Sequence, residues 1–152
     1  MNGEMEKREC FYCTQDKEMH SLMIEIAQLR TSTLYLNRDQ THRGRCIIAF
    51  NKHIKELYHL SEDQRRQFME DVAEAAQTIN TTFKPDKINY AIYGDLVSHL
   101  HFHLVPKYKG ASEWGEAFIN FPAYRRTLTE SEYERILIDI KANLQKNKDV
   151  TN

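Results

Sequence analysis

With 152 residues, 41% of them apolar and 28% charged, the chain can bury one substantial core and has the balance of a folded globular protein, not of a disordered tail. A formal net charge of −1 excludes a general polyanion-binding surface, so polymeric nucleic acid is not an expected partner and any anionic ligand must be held by local groups. No run approaches the roughly 18 consecutive apolar residues of a membrane span. The opening MNGEMEKREC lacks the apolar middle of a secretory signal, and three cysteines, an odd number, argue against a disulfide framework; a reducing cytoplasm is the expected setting.

Residues 23–29 (MIEIAQL) and 33–37 (TLYLN) flank a polar RTS and read as a strand pair. RCIIAF (45–50) follows a polar run and reads as a buried strand. The long segment LSEDQRRQFMEDVAEAAQTINTTF is the clearest helix. Ser61 and Gln64 fit a capping box, and Phe68, Val72, Ala76, Ile79 and Phe83 form an apolar stripe at helical spacing. Pro85 stops it, because proline cannot continue the hydrogen-bond ladder.

INYAIY (88–93) and HLHFHLVP (99–106) read as strands separated only by GDLVS, which favours an antiparallel hairpin over a crossover. Residues 109–124 are irregular and aromatic. A second capping box, Thr129 with Glu132, opens a C-terminal helix with an apolar face of Tyr133, Ile136, Leu137, Ile140 and Leu144. No repeat or linker divides the chain. The expected architecture is α+β: a single domain over 1–152, about five mostly antiparallel strands with two long flanking helices, its core over about 10–108 and an aromatic segment and helix over 109–147.

Three of the chain's seven histidines fall within five residues, at 99, 101 and 103. On a strand they share one face, while Leu100, Phe102 and Leu104 face the other way and pack on a helix. A solvated strand face would normally carry threonine, lysine or glutamate, so an idle row of three imidazoles is the weaker explanation. Adjacent members could share an ion, but one metal on all three would need severe distortion, since residues i and i+4 of a strand lie roughly 13 Å apart at about 3.3 Å per residue. A division of labour follows: one end can ligate a metal while the others face a substrate. Neutral imidazole is a nucleophile and its cation a donor to phosphate oxygens, so two neighbours suffice for phosphoryl chemistry.

HLHFHLV resembles the histidine triad (HIT) motif of three histidines alternating with apolar residues. The resemblance extends over about residues 10–108: a Cys-x-x-Cys near the N-terminus, GRCIIAFNKHIKEL before the helix, then INYAIYGDLVSHLHFHLVPKY, with a tail similar to a bacterial branch of the superfamily. What the resemblance implies is a HIT-like fold and a nucleotide-binding hydrolase or transferase, cleaving the α-phosphate linkage of a purine nucleotide such as a dinucleoside polyphosphate or an adenylyl conjugate. His101 would attack the α-phosphorus to give a nucleotidyl-histidine intermediate, and His103 would hold an α-phosphate oxygen. Asn37 would take the place of a ribose-binding polar residue, against a strand-end turn residue. Asp95 and Ser98 are loop groups close enough in sequence to reach the nucleotide. A homodimer is a further expectation from the family.

Cys10-Phe-Tyr-Cys13 has zinc-ligand spacing, but alone such a pair is a weak signal. In some HIT proteins two histidines complete it, and here those positions are His53 and His99. The implied site is a closed structural zinc bound by Cys10, Cys13, His53 and His99, against two inert or redox-active thiols. Cys46 reads as a small core hydrophobe, and His20, His42 and His59 as surface residues.

Two departures stand out. Arg45 occupies a position where many HIT enzymes carry a histidine that orients the nucleophile, and an arginine cannot act as a neutral hydrogen-bond partner of imidazole. The GDLVS loop also lacks the Gly-Gln-Ser/Thr segment that contacts the leaving phosphate. Two other functions therefore compete with hydrolysis: a nucleotide-binding sensor without turnover, and a metal-binding scaffold.

Overall fold

The computed structural model describes residues 2–150; residues 1, 151 and 152 of the expected 1–152 domain lie outside the described residues. Three short helices open it, α1 (Asn2–Glu9), α2 (Phe11–Thr14) and α3 (Lys17–Leu22). Then come β1 (Met23–Gln28), β2 (Ser32–Asn37), β3 (Cys46–Phe50), α4 (Glu62–Phe83), β4 (Lys87–Ile92), β5 (His101–Lys107) and α5 (Glu130–Val150). The five strands form one sheet in the order β1-β2-β3-β5-β4, and every neighbouring pair is antiparallel. This is the expected α+β fold.

Strand alternation divides the sheet into two unlike faces. Leu34 and Leu36 of β2, Cys46, Ile48 and Phe50 of β3, and Phe102 and Leu104 of β5 point into one core. Against them lie Phe68, Val72, Ala76, Ile79 and Phe83 of α4, and Tyr133 and Ile140 of α5. Each large apolar side chain buried here contributes about 1.5–3 kcal/mol. Cys46 is fully buried and burial pushes its thiol up, as fits a packed hydrophobe.

The opposite face carries Tyr35, Ile47 and Ala49 beside the histidines. It is covered by Cys10, which joins α1 to α2, by Tyr12 of α2 and by Met19 of α3. Sequence pattern does not reveal those helices: at eight, four and six residues they are shorter than the roughly 12–15 at which an isolated helix becomes marginally stable, and docking sustains them.

Both capping boxes form. Ser61 Oγ accepts from the Gln64 amide at 3.2 Å while Gln64 Oε1 takes the Ser61 amide at 2.9 Å. Thr129 and Glu132 repeat the exchange at α5. The α4 helix ends at Lys84, which adopts left-handed backbone (φ 51°) just before Pro85.

Candidate functional site

The strand β5 begins at His101, so His99 stands just ahead of it, and its ring is turned toward the N-terminal helices. His99 Nε2 donates to the Phe50 carbonyl at 2.6 Å. That fixes the proton on Nε2 and directs the Nδ1 lone pair to Cys10 Sγ at 3.4 Å and Cys13 Sγ at 3.6 Å. His53, from the loop after β3, places Nδ1 3.4 Å from Cys13 Sγ. The ligand atoms of Cys10, Cys13, His53 and His99 all lie within 4.8 Å of one another.

A tetrahedral zinc with bonds of about 2.0–2.3 Å separates its ligand atoms by roughly 3.3–3.8 Å. The sulfur–nitrogen contacts at 3.4, 3.4 and 3.6 Å match that spacing, and with every pair within 4.8 Å the donor set fits the ion after a contraction of up to about 1 Å. The Phe50 carbonyl on the far nitrogen of His99 is the outer partner that a ligating imidazole ordinarily has. His53 Nε2, by contrast, is buried without a partner. Burial lowers His99 to about 4 and raises Cys13 to about 11, with Cys10 adding to the latter; a bound cation would reverse the Cys13 shift by favouring its thiolate. The four residues could thus hold a metal.

His101 Nδ1 donates to the His99 carbonyl at 2.5 Å. The neutral ring therefore has its free lone pair on Nε2. Burial holds the group below the usual imidazole value, which keeps it neutral. The ring centroid lies 5.1 Å from that of Tyr12 and 5.1 Å from that of His103. At 6% exposure His101 is nearly closed off from solvent, because Tyr12 and the N-terminal helices cover this face.

His103, at 8% exposure, sits between Tyr93 (ring centroids 5.4 Å apart) and Phe118 (6.4 Å). Arg45 Nη2 donates to its Nδ1 at 3.0 Å. Arginine is no neutral partner of imidazole, but guanidinium reaches this ring as a charged donor, and the neutral ring needs only a lone pair to accept from it. Burial, reinforced by Arg45 and by His101, lowers His103 to about 3.

Arg45 itself is 4% exposed. Nη1 donates to the Asn120 carbonyl at 3.1 Å and Nη2 to Asn120 Oδ1 at 2.6 Å, while Nε is buried without a protein partner. A buried donor of that kind costs about 1–3 kcal/mol until water or a ligand oxygen meets it.

The remaining candidates are less central. Asn37 ends β2 on the histidine side, since Tyr35 two residues earlier pairs with Ile47 and Ile47 with His103. Its side chain donates to the Asp39 carbonyl at 3.2 Å, the role of a turn residue. Asp95 and Ser98 are exposed and form no side-chain hydrogen bonds among the described residues.

His20 and His59 are exposed as expected, but His42 is not a surface residue. It is 8% exposed, with Nε2 donating to the Ile119 carbonyl at 2.9 Å and Nδ1 3.3 Å from the Glu113 carboxylate. The 109–124 segment folds over it, and polar sequence surroundings concealed that contact. Lys107 anchors the same segment through the carbonyls of Glu113 (2.7 Å) and Glu116 (2.8 Å). Sequence reasoning missed Asn120 and Tyr12. Tyr12 had one available signal, its place between two candidate ligands.

A five-stranded antiparallel sheet carrying alternating histidines on an inner strand, with a Cys₂His₂ cluster at the head of that strand, defines a histidine-triad class of protein. The HIT domain family matches residues 17–110, and the chain belongs to that family. It is similar to Protein hit of Bacillus subtilis (strain 168), 24% identical over 86 residues, or 53% of this chain and 59% of that protein. The chain thus spans about three-fifths of the length of that curated relative. Its fold resembles a histidine triad protein from Marinobacter aquaeolei VT8 (TM-score 0.77, 20% identity, 86% of this chain and 95% of that one). It also resembles a Zn-bound histidine triad family protein from Mycobacterium smegmatis (TM-score 0.67, 19% identity, 95% and 99%).

Proposed function

We propose that the protein, one HIT domain over 1–152, is a cytoplasmic nucleotidyl hydrolase or transferase that cleaves the α-phosphate linkage of a purine nucleotide. His101 Nε2 attacks the α-phosphorus, and the leaving group departs with the bonding electrons of the cleaved linkage. A nucleotidyl-histidine results, and water or another acceptor then releases the nucleoside monophosphate. His103 Nε2–H holds an α-phosphate oxygen, and the Arg45 charge behind it opposes protonation of the ring. Asn37, Asp95 and Ser98 are assigned to the nucleotide side of the site. The supporting observation is the bond from His101 Nδ1 to the His99 carbonyl, which leaves Nε2 unprotonated and free to attack.

Zinc on Cys10, Cys13, His53 and His99 is proposed as structural. When bound it supplies cross-linking and charge, and no reacting atom passes through it. A histidine triad family protein from Mycobacterium smegmatis with a similar fold is Zn-bound. A homodimer is part of the same proposal, tested by sedimentation equilibrium.

The test is His101→Ala on an AMP ester with a good leaving group. Hydrolysis should fall by more than about 10³-fold while AMP binding changes by less than about fivefold. Acid-quenched mixtures of the unmodified protein should also contain nucleotide linked to His101. The low exposure of His101 and His103 favours one alternative, a nucleotide sensor without turnover. Binding of AMP by a protein that hydrolyses no such ester would decide for the sensor.

A further inference from the structure

We propose that Arg45 is the positioning residue of His103, clamped by Asn120 so that it fixes the ring in the tautomer with its proton on Nε2. The inference draws its purpose from the nucleotidyl-transfer reading, though its geometry does not depend on it.

The clamp has two points. Asn120 takes Nη1 through its carbonyl (3.1 Å) and Nη2 through Oδ1 (2.6 Å), which fixes the guanidinium plane. Phe118 supports it, with Arg45 Cζ 5.4 Å from the ring centroid. The second hydrogen on Nη2 then points at His103 Nδ1, 3.0 Å away. Guanidinium has no acceptor, so this contact exists only when Nδ1 carries a lone pair. The ring's single proton is thereby assigned to Nε2.

Two neighbouring histidines thus receive opposite tautomers from two different partners. The His99 carbonyl puts the His101 proton on Nδ1 and frees Nε2 to attack, whereas Arg45 puts the His103 proton on Nε2 to donate. One motif residue becomes a nucleophile and the next a donor with no difference in side chain. Lysine would not replace Arg45, because a rotating point charge cannot bind Asn120 at two points and His103 at a third. Asn120 lies outside residues 17–110, so the device belongs to this chain's own tail and not to the matched family segment.

The test begins with long-range ¹H–¹⁵N correlation spectra of the unmodified, ligand-free protein at pH 7. His103 should show an unprotonated Nδ1 and a protonated Nε2; the reverse tautomer, or rapid exchange between the two, overturns the proposal. Arg45→Met should mix the tautomers and lower kcat on an AMP ester about tenfold or more, with KM changed by less than about threefold. Arg45→Lys should not restore either property.

Should Arg45→Met fail to fold, Asn120→Ala decides, since it removes one anchor of the clamp from a half-buried loop position. Broadened His103 signals and a smaller loss in kcat support the clamp; an unchanged spectrum and kcat overturn it. A protein with the expected tautomer but no turnover of any nucleotide ester would sink the transfer reading while the clamp stands. Turnover with a tautomer indifferent to Arg45→Met would do the opposite.

Discussion

The neutral state of His103 is bought with acid stability. Its usual value of 6.5 drops to about 3 in the folded protein, first through burial and then through the facing charges of Arg45 and His101; Tyr93 and Phe118 complete its surroundings. Between those values the unfolded chain binds a proton that the folded chain refuses, so the stability present above pH 6.5 is lost as pH falls toward about 3. Urea unfolding midpoints should therefore decline from pH 7 to pH 4, and His103→Asn should flatten the decline. Equal slopes in the two proteins would mean that the ring does not carry this linkage. Only half of this residue's situation was legible in the sequence. Alternation puts His103 on the polar face, but its partner Arg45 is 58 positions away and Arg45's own anchor another 75, separations that no local pattern encodes.

Among the elements, α4 does more than supply an apolar stripe. Asp71, wholly buried on the sheet-facing side, accepts at Oδ1 from the Arg30 amide (3.2 Å) and at Oδ2 from the Thr31 amide (2.8 Å) and Ser32 Oγ (2.8 Å). These bonds tie the helix to the β1–β2 turn. Asp71→Ala should cost about 3 kcal/mol or more by leaving those donors without an acceptor, and should speed amide exchange in the hairpin more than in β5. Uniform loss of protection across both elements would contradict that picture. The β2–β3 connection has its own constraint at Gly44, whose φ is +87° and whose missing Cβ would lie 2.7 Å from Phe83. Gly44→Ala combines backbone strain with a core collision, and a loss of about 2 kcal/mol in chemical denaturation is expected. Capping boxes and periodicity made α4 and α5 visible in the sequence, since both signals are local. The N-terminal helices gave no such signal, because they are held by what they dock on.

At the scale of the whole molecule, the N-terminal helices, the candidate metal cluster and the histidine strand meet around Tyr12 and His99. Cys10 and Cys13 bracket Tyr12, whose ring lies 5.1 Å from both His99 and His101. His99 joins the cluster through its side chain and orients His101 through its carbonyl. An ion on those four ligands would lock Tyr12 over the ring of His101, the proposed nucleophile, and hold the carbonyl that sets its tautomer. Removing the ion should then act in two places at once. Chelation, or Cys10→Ser, should release about one zinc per chain and make the first 16 residues susceptible to protease. It should also raise the rate at which diethylpyrocarbonate modifies His101, because the covering ring is no longer tethered. The zinc measurement and the histidine measurement are independent, and their coupling is the point. Metal loss that frees the N-terminus but leaves His101 modification unchanged would show that Tyr12 is held by apolar packing with Tyr35, Ile47 and Ala49 alone. In that case the cluster would fasten the terminus without reaching the histidine strand.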